Sequence, residues 1–467
     1  MGVRADGRAG TTNQNLVGVD GPGPVGATSA MAAIGVRWVR TDVSFEGTIG
    51  GKPVYDCASG AWNPALLDGR VAQIRREGAQ PLVIVDYSPA CLATGAVRGD
   101  NAGYYPPDLG SDQTRWVRLV EEMAAHEITA EGVTTFEVWN EPDGTFWRGG
   151  LPGYLRLYAD TARALEVAAA AAHARIAVGG PALVFSDAAW IEPFLDFVAA
   201  EDLPLEFLSW HYYADYPLLG PVGPIPGPPP GTPPVWYNPA LRAQSYGLQV
   251  GQVRAEVAAH PSLHPLLWLD EWNADAGYDA RHDGPFDAAL AAAVLDSVQS
   301  ARLDRMCFFD VADDTGNALA NWGLLTAPPA LAAKPVYAAF EYWHRLGPNL
   351  APVSLSPDQS LADPRGRIGA VASTAPDGQV TILVYDFVPY DATGVYGTAD
   401  PTPYDHPITV ELTGLGPGSY SWQRDLEDGT HGGGHVAGGT VRGRSASLSF
   451  TLASEGVTEV VLTPRRG

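Results

Sequence analysis

Eight short, β-rich apolar runs recur along the first three-quarters of the chain: Leu16 to Val19, Trp38 to Val43, Leu82 to Asp86, Thr135 to Trp139, Ile176 to Val178, Phe207 to Trp210, Leu266 to Leu269 and Met306 to Phe309. Amphipathic or Ala-rich stretches separate them, around Leu66 to Arg76, Thr114 to Ala125, Leu151 to Ala174, Ala188 to Ala200, Pro239 to Ala259 and Phe286 to Arg302. In the third stretch Leu155, Tyr158, Ala162 and Leu165 repeat at helical spacing while Arg156 and Asp160 fall off that stripe, which predicts a helix with one packed face. Strand-like runs alternating with helices are the pattern of parallel βα units. Eight of them within about 340 residues predict a closed (β/α)8 TIM barrel rather than an open doubly wound sheet. The turn VGVDGPGPVG after the first run lacks the G-x-G-x-x-G spacing of a dinucleotide-binding sheet.

After about Pro348 the texture changes to Thr/Val-rich alternation, as in QVTILVYDF, ITVELTGL and SLSFTL, broken by Gly/Pro turns. This predicts a C-terminal antiparallel β-sandwich, and the chain divides into a barrel over residues 1–347 and an accessory sandwich over 348–467. Residues 217–239 are too rich in proline for a helix or a central strand and read as a stiff loop after the sixth strand, on the barrel's active face, either inert or part of a rim or lid.

Charge removes several functions from consideration. The 29 Lys+Arg stand against 53 Asp+Glu, a formal charge of −24, which repels phosphate backbones and anionic lipid. Nucleic acid and membrane surfaces are therefore poor partners, and no run of 18 apolar residues is present to span a bilayer. The start MGVRADGRAG lacks the apolar core of a secretion signal, so the compartment stays open between the cytoplasm and secretion after removal of a leader. The only lysines, Lys52 and Lys334, follow a Gly-Gly turn and begin a late helix, which disfavours a Schiff-base aldolase. Three cysteines are too few for a disulfide scaffold; one bridge, Cys57 to Cys91, is open if their loops are neighbours. No H-x-H, H-E-x-x-H or Cys/His cluster suggests a metal, His431 and His435 are expected to face solvent, and no cofactor is implied. Composition is compatible with a homo-oligomer and does not specify one.

Two acidic residues carry the chemistry. TFEVWNEPD places Glu141 just beyond the fourth strand and LLWLDEWNAD places Glu271 just beyond the seventh, so both belong at the C-terminal mouth. Strands four and seven oppose one another across an eight-strand ring. Two carboxyls about 5–5.5 Å apart suit a retaining glycosidase, one as nucleophile and the other as acid and then base. Trp139 and Asn140 flank one, Trp272 and Asn273 the other, residue types that stack on sugars and bind hydroxyls. Trp322 in NWGLL is either a sugar platform or packing.

These residues resemble glycoside hydrolase clan A and, within it, family 39, the group of β-xylosidases and α-L-iduronidases. Besides W-N-E-P, the passages LLDGRVAQIRREGAQPLVIVDYSPACLA, YLRLYADTARALEVAAAAAHARIAVGGPAL and GLLTAPPALAAKPVYAAFEYW are similar to the family's. The likeness covers roughly residues 35–345 well and the sandwich faintly. The resemblance implies Glu141 as acid/base, Glu271 as nucleophile, and Asn140 as ligand of the hydroxyl next to the anomeric carbon. It implies that Arg40 in RWVRTDV lies beside the nucleophile, and that His211 and Tyr213 in SWHYYAD serve the site, the tyrosine donating to Glu271. Residue chemistry alone also admits Arg40 neutralising Asp42 and His211 as a core histidine. Asp313 and Asp314 fall where the family carries acids near the sugar, though a turn or capping role fits them equally. Asp42 stands where a histidine is expected, a departure that bears on which sugar hydroxyls are read.

The expected activity is retaining hydrolysis of a glycosidic bond, foremost exo-action on a terminal β-xylosyl residue of plant-derived glycans. The alternatives are exo- or endo-action on another sugar, such as arabinosyl, galactosyl or microbial polysaccharide, and a carbohydrate-binding barrel without turnover.

Overall fold

A computed structural model describes residues 1–111, 113–213, 243–274, 276–277, 280–317, 320–356, 367–387 and 404–465. Eight parallel strands close a barrel: β1 (Gly18–Asp20), β2 (Trp38–Asp42), β3 (Gln80–Val85), β4 (Thr135–Val138), β5 (Ala177–Leu183), β6 (Phe207–Tyr213), β7 (Leu266–Asn273) and β8 (Arg305–Phe308). Phe308 of β8 pairs with Val19 of β1 to complete the ring. Around it lie α1 (Thr28–Ala33), α2 (Ala65–Arg76), α3 (Arg115–His126), α4 (Gly150–Ala171), α5 (Ala188–Ala200), α6 (Ala243–Ala258), α7 (Pro285–Ser300) and α8 (Pro335–His344). All eight expected strands are present, and the helical stripe on α4 is inward, with Tyr158, Ala162 and Leu165 buried and Leu155 at its half-buried edge. The Pro-rich segment 217–239 lies outside the described residues.

Alternation along the strands stacks three kinds of side chain inside the ring. Leu82, Phe207, Trp268 and Cys307 form an apolar floor with Trp38 and Ala177 against it. Trp38 and Phe207 meet Trp268 edge-on, with centroids 5.1 and 4.9 Å apart, and the Arg305 guanidinium caps Trp38 at 3.8 Å. One pleat repeat above that floor the interior turns ionic, with Arg40, Ser209 and Asp270 two residues on from Trp38, Phe207 and Trp268. A further step reaches the mouth.

The C-terminal quarter, with the first residues of the chain, forms two packed sheets. One has seven strands, from Gly10–Thr11 through Asn349–Ala351, Arg367–Thr374, Val380–Phe387, Val457–Pro464 and Ser419–Glu427 to Gly434–Arg442. The other runs Val353–Ser354, Gly2–Arg4, His406–Thr413, Ser445–Leu452. Both contribute to one apolar core that includes Val3, Ile382, Val410, Leu452 and Leu462. The first dozen residues therefore pair with the sandwich rather than the barrel: Gly2–Arg4 runs parallel to His406–Thr413, and Gly10–Thr11 pairs with Asn349–Ala351. A short strand of this kind has no signature of its own, because its partners lie some 400 residues downstream.

The sandwich is seated on the barrel by polar contacts. Tyr385 donates to Asp296 of α7 at 2.8 Å, and Arg345, just after α8, meets Asp425 at 3.1 Å and the buried Glu459 at 3.2 Å. Val371, Phe387 and Val457 of the sandwich share the main core with the barrel, Phe387 lying 5.9 Å from Phe286 of α7. Cys57 and Cys91 are disulfide-bonded, closing the loops after β2 and β3 onto one another. Among the described residues no helix is long and apolar enough to cross a membrane.

Candidate active site

Glu141 and Glu271 reach the barrel interior through two breaks in alternation. β7 continues through Glu271 to Asn273, so this glutamate sits inside the strand rather than beyond it. The register slips there: Trp210 pairs with Leu269, but His211 pairs with Glu271. Asp270 is the extra residue, and both acids turn inward, since Asp270 and Glu271 contact the same Arg40 side chain at 3.3 and 3.0 Å. After β4 the chain enters the left-handed region at Trp139 (φ 71°) and again at Glu141 (φ 45°). Such backbone costs on the order of 1–3 kcal/mol per residue and persists only where packing dictates it. Here Trp139 is fully buried, and the Glu141 amide donates to Ala182 at 2.9 Å. The outcome is that Asn140 and Glu141, neighbours in sequence, both reach the same cluster, Asn140 at Arg40 and Glu141 at His211.

Arg40 is the hub. Its Nε donates to Glu137 at 2.8 Å, Nη1 to Asp20 at 2.9 Å and Glu271 at 3.0 Å, and Nη2 to the Asn140 side-chain oxygen at 2.7 Å. The side chain is 2% exposed, and burial alone would favour losing its proton; four surrounding carboxyls outweigh this and hold the guanidinium charged. Those carboxyls divide by environment. Asp270 is pushed well up by burial and by Glu137, and Asp20 well up by burial despite Arg40. Glu137 lies below the usual carboxylate range: although burial opposes ionisation, Arg40 and hydrogen bonds from Asp270 and Ser209 prevail. The alternative that Arg40 merely neutralises Asp42 is not what the structure shows.

His211 is fully buried, with Nδ1 2.9 Å from Glu141 Oε1 and 3.6 Å from Glu271 Oε2. Burial lowers its pKa to about 4, so at neutral pH it is an uncharged imidazole whose Nδ1 shares a hydrogen bond with Glu141. Tyr213 donates to Glu271 Oε1 at 2.6 Å, and the Asn140 amide donates to the Tyr87 hydroxyl at 3.1 Å. Burial raises Glu141 to about 7 even though Arg40 pulls it down. One oxygen of each glutamate and the His211 nitrogen lie within 4.8 Å of one another. That reach would admit a metal ion, but the fixed Arg40 cation 3.0 Å from Glu271 repels one. What the arrangement offers is two carboxyls in unlike environments facing one small space.

A family profile described as Glycosyl hydrolases family 39 matches residues 34–375. The chain belongs to glycosyl hydrolase family 39. It is 32% identical over 145 residues to a protein named Beta-xylosidase from Caldicellulosiruptor saccharolyticus, covering 29% of this chain and 28% of that one. A second protein of that name, from Geobacillus stearothermophilus, is 29% identical over 205 residues, covering 38% and 37%. The chain thus aligns with well under half the length of these curated relatives. In overall fold it is similar to the crystal structure of a monomeric β-xylosidase from Caulobacter crescentus, with a TM-score of 0.76, 19% identity, and 100% and 99% of the two chains covered.

In this family-39 chain, Arg40, Asn140, Glu141, His211, Tyr213 and Glu271 converge as the sequence suggested. The flanking tryptophans do not: Trp139 packs against Tyr87 and Trp147, and Trp272 against Tyr246 and Phe308, both fully buried behind the strands. Asn273 is also buried, donating to the Trp322 carbonyl at 3.1 Å. Trp322 is half-buried, its ring 5.5 Å from Phe309 and its Nε1 donating to Gly277 at 2.8 Å. Asp313 is taken up by Lys334 at 2.9 Å and by the Gly323 amide at 2.9 Å. Beside the site a cavity of about 350 Å³ is lined by Asp20, Asp310, Asp313 and Asp314. Asp20, Glu137, Ser209 and Asp270 escape a motif-based reading. Their signal is a charged or hydroxyl residue inside an otherwise apolar parallel strand, which is costly unless a partner waits inside the barrel.

Removing the hub is the direct test of this arrangement. Arg40→Leu should destabilise the fold by about 3–5 kcal/mol in chemical denaturation, because Glu137 is left buried without its cation. A loss below about 1 kcal/mol would mean that the carboxyls are satisfied without it.

Proposed function

We propose that this chain hydrolyses glycosidic bonds with retention of configuration, Glu271 acting as nucleophile and Glu141 as acid and then base. The observation that carries this reading is the close approach of the two glutamates in unlike environments: Glu141 is raised to about 7 by burial, while Glu271 accepts hydrogen bonds from Arg40 and Tyr213. Those bonds hold Glu271 by both oxygens, fixing its angle of attack on the anomeric carbon. Glu141, protonated and held at one oxygen by His211, gives its proton to the departing glycosidic oxygen as the bond to Glu271 forms. Once Glu271 has become an ester it no longer screens Arg40. The Arg40 charge, which already pulls Glu141 downward, then does so more strongly, and Glu141 becomes the base that takes a proton from the incoming water. Asn140, held by Arg40 and with its amide at Tyr87, is placed to bind the hydroxyl beside the anomeric carbon, where a contact tightens as charge develops.

The substrate we infer is a terminal β-xylosyl residue of plant-derived glycans, removed from the chain end, in keeping with the names of the two curated relatives. The site's own charges favour a neutral sugar over a uronic acid. Arg40 is already occupied by acids, Lys334 is held by Asp283 and Asp313, and Asp42 and Asp86 lie close together near Tyr87, where burial and then Asp42 raise Asp86 well up.

Glu271→Gly should abolish turnover of aryl β-xylosides, and azide should restore it with a product of inverted configuration; retained activity without azide would end the assignment. For the unmutated enzyme, kcat/KM with a poor leaving group should fall as pH rises through about 7, because Glu141 must carry its proton to act as acid. That limb should vanish in Glu141→Ala, which should still react with well-activated aryl glycosides. A limb that persists in the variant would assign the acid to another group.

A further inference from the structure

Away from the barrel mouth, three side chains with no part in the proposed reaction converge between two helices. Asp68 lies in the first turn of α2, His126 ends α3, and Glu127 follows it directly. One carboxylate oxygen from each acid and one imidazole nitrogen lie within 4.8 Å of one another, and His126 Nε2 stands 2.9 Å from Asp68 Oδ1. The Asp68 and His126 side chains are each 33% exposed, whereas Glu127 is 0% exposed and neither of its oxygens meets a hydrogen-bond donor.

A buried carboxylate without a donor is costly, and here it abuts a second carboxylate. A dication answers both and gives the imidazole a role as well. One nitrogen and two carboxylate oxygens suit a transition metal better than calcium or magnesium, which prefer all-oxygen shells. Around zinc, ligand atoms held at about 2.0–2.2 Å sit roughly 3.4 Å apart, so the observed cluster needs only a small closure of side chains, and its exposed edge leaves room for a water as fourth ligand.

We propose that Asp68, His126 and Glu127 bind one divalent transition-metal ion, Zn²⁺ by preference, which clamps α2 to the end of α3. The clamp lies next to other ties between these elements. Arg75 Nη2 of α2 donates to the Glu131 and Gly132 carbonyls at 2.7 and 3.2 Å. The Trp62 ring meets His126 edge-on at 5.5 Å, and Trp62 lies on the strand that pairs with Tyr55–Asp56, directly before the disulfide-bonded Cys57. The ion would therefore brace the outer wall beneath the loops that follow β2 and β3, without touching the reacting groups.

The test uses the full chain, stripped with a chelator, dialysed, and titrated with zinc chloride by calorimetry, with bound metal counted by mass spectrometry. The expected result is one zinc per chain at micromolar Kd or tighter, with a higher thermal midpoint. Asp68→Asn, His126→Ala and Glu127→Gln should each weaken binding at least about tenfold. Aryl glycoside hydrolysis by His126→Ala in zinc-free buffer should be unchanged, so the outcome is independent of the glycosidase reading. No zinc bound at about 100 μM, a concentration well above the expected Kd, would overturn the site. So would full retention of zinc in both Asp68→Asn and His126→Ala, or a Glu127→Gln chain that is stabilised and still binds zinc as before.

Discussion

One buried cation organises the working end of this barrel. Arg40 contacts Asp20, Glu137, Asp270 and Glu271 and also holds the Asn140 side chain, so five elements of the ring, β1, β2, β4, β7 and the turn after β4, are positioned around a single guanidinium. Its five donors in a fixed plane make this possible, where a lysine ammonium could serve fewer partners with less directional control. Taking that charge out of water is expensive, and the surrounding acids offset the cost. The same cluster gives Glu271 its hydrogen bond from Arg40 and leaves Glu141, which Arg40 does not touch directly, to be raised by burial.

Getting the two glutamates into one cavity required departures from regular structure. A bulge at Asp270 reverses the facing of Glu271, and two left-handed residues after β4 let Asn140 and Glu141 point into the same space. The strain is held by aromatic packing behind the strands, which is where Trp139 and Trp272 are used. Their place in the chain, next to the glutamates, reflects that supporting task rather than contact with a sugar.

Much of the fold was legible because parallel barrel strands are short continuous apolar runs and their helices carry one packed face; the eight runs and the stripe around Tyr158 and Leu165 needed nothing more. Glu141 and Glu271 were legible because each follows such a run. The ionic layer beneath them was not: Glu137 and Asp270 sit inside strands, and their cost is cancelled by a partner about 100 or more residues away. The strand Gly2–Arg4 was hidden for a similar reason, since its pairing partner lies far along the chain. Whether Cys57 and Cys91 join depended on the proximity of two loops, which spacing alone leaves undecided.

The most direct measurement is to trap the intermediate with an activated aryl glycoside bearing fluorine on the carbon next to the anomeric centre, followed by intact-mass and peptide analysis. One sugar per chain is expected, attached to the peptide containing Glu271 and lost when excess substrate-like acceptor is added. A label on any other carboxyl, Glu137 or Asp270 included, or turnover of the unfluorinated glycoside with no trappable adduct, would contradict it.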